Sequence, residues 1–246
     1  TFFLRDDVFF HDSPLFGKEK TRTVLASDFI YSFNRLTDPK VASPGSWVMQ
    51  QVAYYEAIDQ HTLKIQLKNP FPGFLALLSM RYCAVVPKEV VEHYGNTFRS
   101  HPIGTGPFYF KRWEENIKLV LRKNTTYFEK NTNGKPIPYL EAIAIQFIPD
   151  IQSEFMLFLQ GKLDFINSLD SSYKDELLTP KGELQPHYQN SLELLNGPYL
   201  NTEYIGIYLD NPNPAIQSPK IREALNIGFD RKLMIAYLRN NIGYPA

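Results

Sequence analysis

Phe29, Ile30, Phe33 and Leu36 recur at helical spacing, so they share one face of a helix. Ser27 or Asp28 is placed to cap that helix, and Asp38-Pro39 to end it. Further on the period changes. Leu63, Ile65 and Leu67 alternate with Thr62, Lys64, Gln66 and Lys68, the pattern of a half-buried strand. Thr1 to Arg5 and Val8 to Phe10 read as strand pieces, bounded by Asp6-Asp7 and by His11 to Pro14. Pro87 opens a short helix over Lys88 to Tyr94, and Gly95 stops it.

After the polar joint Asn96 to Ser100 the same two periods return. Ile117, Leu119 and Leu121 mark one strand and Ile143, Ile145 and Phe147 another, with the turn-rich loop Lys130 to Pro136 between them. Asp150 is placed to cap a helix carrying Ile151, Phe155, Phe158 and Leu159, which Gly161 closes. Leu163 to Ile166 reads as the strand that completes a strand–helix–strand unit, and Ser172 to Pro186 is polar and irregular. Tyr204 to Leu209 is strand-like, and Asn211 to Pro214 makes a turn. Ser218-Pro219 then starts a helix that carries Ile221, Ala224, Leu225, Phe229, Leu233 and Ala236 inward. No internal repeat or low-complexity tract interrupts this interleaving. The fold class is mixed α/β (α+β).

Composition narrows the partners. With 246 residues, 43% of them apolar, the chain supports one large domain or two modest ones. Lys plus Arg equals Asp plus Glu at 26 each, which leaves no basic surplus for a nucleic-acid backbone. An uncharged or zwitterionic ligand suits that balance better than a polyanion. Aromatic residues, 14% of the chain, imply a Phe-rich core with Tyr at its edges. Cys83 is the single cysteine, so neither an intrachain disulfide nor a cysteine-based zinc site can form. Its apolar setting, Tyr82-Cys83-Ala84-Val85-Val86, marks a buried structural thiol. No run of about 18 apolar residues is present to span a membrane.

Motifs for chemistry are sparse. Gly104-Thr105-Gly106 lacks the third glycine of a dinucleotide fingerprint and the Gly-Lys-Ser/Thr ending of a phosphate loop, so it reads as a tight turn. His11, His61, His93, His101 and His187 show no metal-ligand spacing and read as surface or capping residues. No Gly-x-Ser-x-Gly elbow occurs, and no carboxylate pair is singled out by spacing. Asn124-Thr125-Thr126 is formally a glycosylation acceptor, a triplet common by chance. No catalytic, cofactor-binding or metal-binding residue is assigned, and no cofactor is expected.

Four stretches together resemble the dipeptide- and oligopeptide-binding receptors of ABC importers, the extracellular solute-binding family 5. Phe3-Leu4-Arg5-Asp6-Asp7-Val8-Phe9-Phe10-His11-Asp12 is similar to that family's LR-x-G-V-x-F-H-D-G opening, and Ala26 to Leu36 to its A-x-D-V-x-Y-S-x-x-R-L. Val86 to Gly95 is the second stretch. Pro102 to Phe108, with Trp113 and then Val120 to Asn124, is the third, and Ser218 to Arg231 the fourth. Each is short; they occur in the family's order.

The resemblance implies a periplasmic-binding-protein-like II fold with three domains in two lobes, of which these residues supply about the middle half. Residues 1–98 would be the accessory domain, 99–198 the central part of the first-lobe domain, and 199–246 the hinge strand and start of the closing domain. It further implies a monomeric, extracytoplasmic or periplasmic receptor that delivers peptides to ABC permease subunits and catalyses nothing. Lipid anchoring, as a lipoprotein, is the expectation that goes with that location. The hinge would fall at Tyr199 to Gly206. The candidate cleft residues are Asn201, Thr202, Glu203, Tyr204 and Gly206, with Trp47 from the accessory domain. The acidic partner of a peptide's amino terminus would lie beyond Ala246. Departures bear on the ligand: Ser13 replaces a glycine, and Gly17 to Val24 reads as an insertion. Where oligopeptide binders carry ligand-touching tyrosines, Gly45 and Val48 stand here. Receptors for nickel, an opine or an oligosaccharide, and an α/β hydrolase, are the alternative readings.

Overall fold

The computed structural model describes residues 1–167, 169–197 and 201–245. They form two compact units, Thr1–Phe147 and Ile148–Ala246. In the first unit, β1 (Phe2–Phe3), β2 (Val52–Ala57) and β3 (Thr62–Leu67) form an antiparallel sheet in the order β1-β3-β2, with Phe2 opposite Leu63 and Tyr55 opposite Ile65. The alternation in β3 sends Leu63 into the core. Helix α1 (Ala26–Thr37) packs there through Phe33 and Leu36, with Phe29 and Ile30 partly buried beside them. Val48, Met49, Val52, Phe74 and Cys83 complete the cluster. Each large apolar side chain so buried contributes about 1.5–3 kcal/mol. Burial also pushes the Cys83 thiol pKa up, as suits an inert thiol.

The N-cap of α1 is Leu25, not Ser27 or Asp28. Asp28 lies in the first turn and reaches back, its Oδ2 accepting from the Leu25 N–H at 2.8 Å. A first-turn carboxylate satisfies an orphan donor without being the cap, so the sequence signal marked the right turn and the wrong residue. The insertion-like stretch closes on itself, Ser13 N donating to Lys20 O at 2.7 Å, and brings Arg22 beside Asp28. Helices α2 (Phe74–Leu78) and α3 (Lys88–Tyr94) follow, the latter ending at Gly95 with φ +51°. Ser32 Oγ accepts from Val86 N at 3.0 Å and fastens α1 to the lead into α3.

A second antiparallel sheet, β4 (Phe108–Glu114), β5 (Lys118–Lys123) and β6 (Ala142–Gln146), is a simple meander. The turn before β4 contains Gly104 to Gly106, and Asn124 holds it, donating from Nδ2 to Gly106 O at 3.0 Å. Asn124 is buried and its Oδ1 accepts from Thr126 N, so the glycosylation triplet is a turn with its amide in use. His11 is not a surface or capping residue as expected. It is buried, and both ring nitrogens engage the same Gly104–Gly106 turn.

In the second unit, Asp150 caps α4 (Ile151–Leu159), its Oδ1 accepting from Ser153 N at 2.7 Å, and Gly161 at φ +69° closes the helix. Phe155 stacks on Tyr173, with ring centroids 4.3 Å apart, and packs with Leu177 and Leu178 next to α5 (Lys174–Leu177). Two expected strands do not form. Leu163 to Ile166 and Tyr204 to Leu209 have no ladder partner among the described residues. Alternation reports a backbone able to pair, and a strand also needs a neighbour at about 4.8 Å. A short helix, α6 (Pro214–Gln217), precedes Ser218, and the expected single helix after it is in two parts: α7 (Pro219–Ile227) stops at Gly228 and α8 (Arg231–Leu238) starts. Asp230 makes the break, capping α8 by accepting from Leu233 N at 2.9 Å. Ile221, Ala224, Leu225, Phe229, Leu233 and Ala236 are not buried. Ile221, Ala224 and Leu225 lie on α7, Leu233 and Ala236 on α8 and Phe229 between them, so the expected single inward face does not form; periodicity carries no information about where a helix breaks or what packs on it.

Candidate functional site

Trp47 sits in a tight 3-10 segment, Ser46–Gln51, whose neighbouring positions are committed to the core. Val48 is 0% exposed and Met49 is buried, whereas Trp47 is 43% exposed. With its backbone held from both sides, the indole is presented as a fixed apolar face with one N–H donor. Gly45, before it, lies flat against Tyr82: a Cβ there would come within 2.3 Å of the Tyr82 ring. Gly45 is therefore required by close packing, and Val48 has no surface to offer. Of the three positions discussed above, only Trp47 can touch a solute.

The other candidates belong to the second unit. Asn201, Thr202, Glu203, Tyr204 and Gly206 are all exposed and lie in one run without regular secondary structure. Tyr199, the start of the expected hinge, lies outside the described residues, as does Leu200. Glu203 meets Arg239 at 2.6 Å, but both side chains are at least half exposed, so the pair adds little stability. Tyr204 projects freely at 85% exposure, and a Cβ on Gly206 would meet only the Tyr204 ring, at 3.9 Å. Thus five of the six candidates form one strip in one unit, and Trp47 belongs to the other.

Sequence reasoning missed how apolar this strip is. Ile205, Tyr208 and Leu209 are exposed along with Tyr204, as are Leu225 of α7 and Tyr237 of α8. The near-continuous apolar run from Tyr204 to Leu209 was the signal, read only as strand-like. Main-chain groups without ladder partners beside apolar side chains offer hydrogen bonds and contact area to an extended guest. Among the described residues no group of three or more His, Cys, Asp or Glu side chains is placed to hold a metal ion.

The second tryptophan has a different setting. Trp113 of β4 lies under the Arg99 guanidinium, 4.8 Å from the ring centroid, and Arg99 also pairs with Glu115 at 2.9 Å. Stacking and ion pairing hold that ring to its own surface.

All 246 residues match the model for "Bacterial extracellular solute-binding proteins, family 5 Middle". The chain is 28% identical over 251 aligned positions to a protein named probable di/tripeptide-binding protein 5 of Pseudomonas aeruginosa (strain UCBPP-PA14). That alignment takes in 94% of this chain and 43% of the relative. Among solved structures, the periplasmic murein tripeptide binding protein MppA, in its unliganded open form, superposes with a TM-score of 0.70 at 27% identity, over 99% of this chain and 46% of its own. MoaA of A. tumefaciens R10, solved with mannopinic acid, gives 0.59 at 29% identity, over 71% of this chain and 33% of its own. The chain therefore spans less than half the length of these relatives, whose names are those of binding proteins. With the match running from first residue to last, the chain belongs to the bacterial extracellular solute-binding proteins of family 5.

Proposed function

We propose that the chain is part of an extracytoplasmic receptor that captures peptides and passes them to the permease subunits of an ABC importer. The solute is held by enclosure, and no covalent bond is made or broken. The observation that carries this reading is the strip Asn201 to Leu209, exposed and without a strand partner among the described residues. An extended peptide can add to such a strip through main-chain bonds that ignore its side chains, while Tyr204 supplies apolar contact without selecting one sequence. The binding-protein names of the relatives at 27–28% identity support the same class. Periplasmic or cell-surface location, lipid anchoring and a monomeric state belong to this proposal.

A second solute class has an observation in its favour. Gly45 and Val48 leave Trp47 without aromatic neighbours at the positions where oligopeptide binders carry tyrosines, and the relative solved with mannopinic acid is 29% identical. A small polar solute would need less apolar wall than a peptide. Amide exchange in the full-length protein separates the readings. Added di- or tripeptide protects the amides of residues 201–206 if the strip receives peptide main chain. No protection by any peptide, with protection by an opine, assigns the second class.

A further inference from the structure

His11 lies on the segment that follows β1, against the turn that leads into β4, and is 8% exposed. Its Nε2 is 2.9 Å from Gly106 O, and its Nδ1 is 3.3 Å from Gly104 N. The main chain adds a third link, His11 N donating to Gly104 O at 2.8 Å. These contacts fix the protonation state. Gly104 N can only donate, so Nδ1 must be bare, and Gly106 O can only accept, so Nε2 must carry the hydrogen. The ring satisfies both only as the neutral Nε2–H tautomer. A second proton on Nδ1 would face the Gly104 N–H donor and break that bond.

We propose that His11 is a proton-operated fastener: neutral, it pins both ends of the Gly104–Gly106 turn, and acid breaks the link to Gly104 N while leaving the link to Gly106 O, which loosens the join between the segment after β1 and the lead into β4. Burial lowers the pKa of the ring, against the opposing effects of the Gly106 carbonyl and the Asp12 charge. Asp12, adjacent in the chain, is the charge acting on the ring. From β4, Tyr109 presents its ring at 6.3 Å, edge-on, and Asn124 shares the Gly106 carbonyl as a neutral amide donor. The sign follows. With the folded pKa below the unfolded value, stability from this site is complete above about pH 6.5 and is lost as pH falls towards the folded value. The extracytoplasmic location proposed above would expose the fastener to the pH of the medium; the device itself does not depend on that location.

The test is nitrogen-resolved NMR of the His11 ring in the whole chain from pH 8 to pH 4.5, with amide protection factors at Gly104 and Gly106 referenced to Leu63. The expected result is the Nε2–H tautomer at pH 8, a midpoint below that of free histidine, and a fall of protection of at least fivefold at Gly104 relative to Leu63 through that midpoint. In a His11→Gln variant that folds, the acid-dependent fall at Gly104 disappears. An Nδ1–H tautomer at pH 8, or titration that leaves Gly104 protection unchanged relative to Leu63, overturns the proposal without bearing on solute capture.

Discussion

The guanidinium of Arg22 meets the carboxylate of Asp28 through two parallel hydrogen bonds of 2.8 Å each. The Asp28 side chain is 5% exposed, so its charge relies on that partner. Arg22 also binds Glu89 of α3 with two 2.8 Å bonds, and its guanidinium lies 5.0 and 5.3 Å from the ring centroids of Phe10 and Phe16. One side chain from the insertion-like stretch thereby joins the start of α1 to α3. Removing one partner of a buried pair strands the other, at a cost of about 3–5 kcal/mol. Arg22→Ala is expected to lose about 3 kcal/mol in urea unfolding. Arg22→Lys recovers only part of this, because an ammonium cannot fork onto two carboxylates. A loss below about 0.5 kcal/mol in Arg22→Ala would remove Arg22 from this role.

The same pair of helices carries an acid dependence. The Arg22 guanidinium holds the Glu89 carboxyl below the ordinary glutamate range. A carboxylate with a depressed folded pKa contributes stability above its unfolded value of about 4.3, and the contribution is lost as pH falls through the folded value. Glu89→Gln is expected to flatten the unfolding curve below about pH 4.5 relative to wild type. The change should be small, because the Glu89 side chain is 44% exposed. An unchanged acid limb counts against the assignment.

What was legible in the sequence was local. Helix α3, the alternation in β3 and the Asp150 cap of α4 each depend on neighbours within one turn or one strand, so the residues themselves encode them. Pairing is not local. Tyr204 to Leu209 is as rich in strand-favouring residues as Leu63 to Leu67, yet among the described residues only the latter has strands, β1 and β2, beside it. The candidate site shared this limit. Nothing in Trp47-Val48 says which of the two faces out, and a 3-10 turn decides it. His11 was misjudged for the same reason, since its partners lie more than ninety positions away.

Gly45 is held flat against Tyr82. Gly45→Ala forces the ring aside and is expected to cost about 1–3 kcal/mol, as overpacking does. In a Tyr82→Gly background the same substitution should cost at least about 1 kcal/mol less, since both the ring and the Tyr82 Cβ, which would lie 2.4 Å from the added methyl, are gone. Equal penalties in both backgrounds would place the strain elsewhere.

Trp47 is exposed, and a solute-contact role is proposed for it, whereas Trp113 lies under Arg99. In full-length protein carrying Trp113→Phe, Trp47 emission is expected to shift to the blue on saturation with a di- or tripeptide, as bulk water leaves the indole. A spectrum unchanged at saturation excludes Trp47 from the cleft.

Native mass spectrometry of the full-length protein, incubated with a defined mixture of short peptides and then released under gentle denaturation, tests solute capture most directly. The account predicts one peptide per chain, recovered at its original mass. Recovery of hydrolysed products, or of no solute at any peptide concentration, would contradict it.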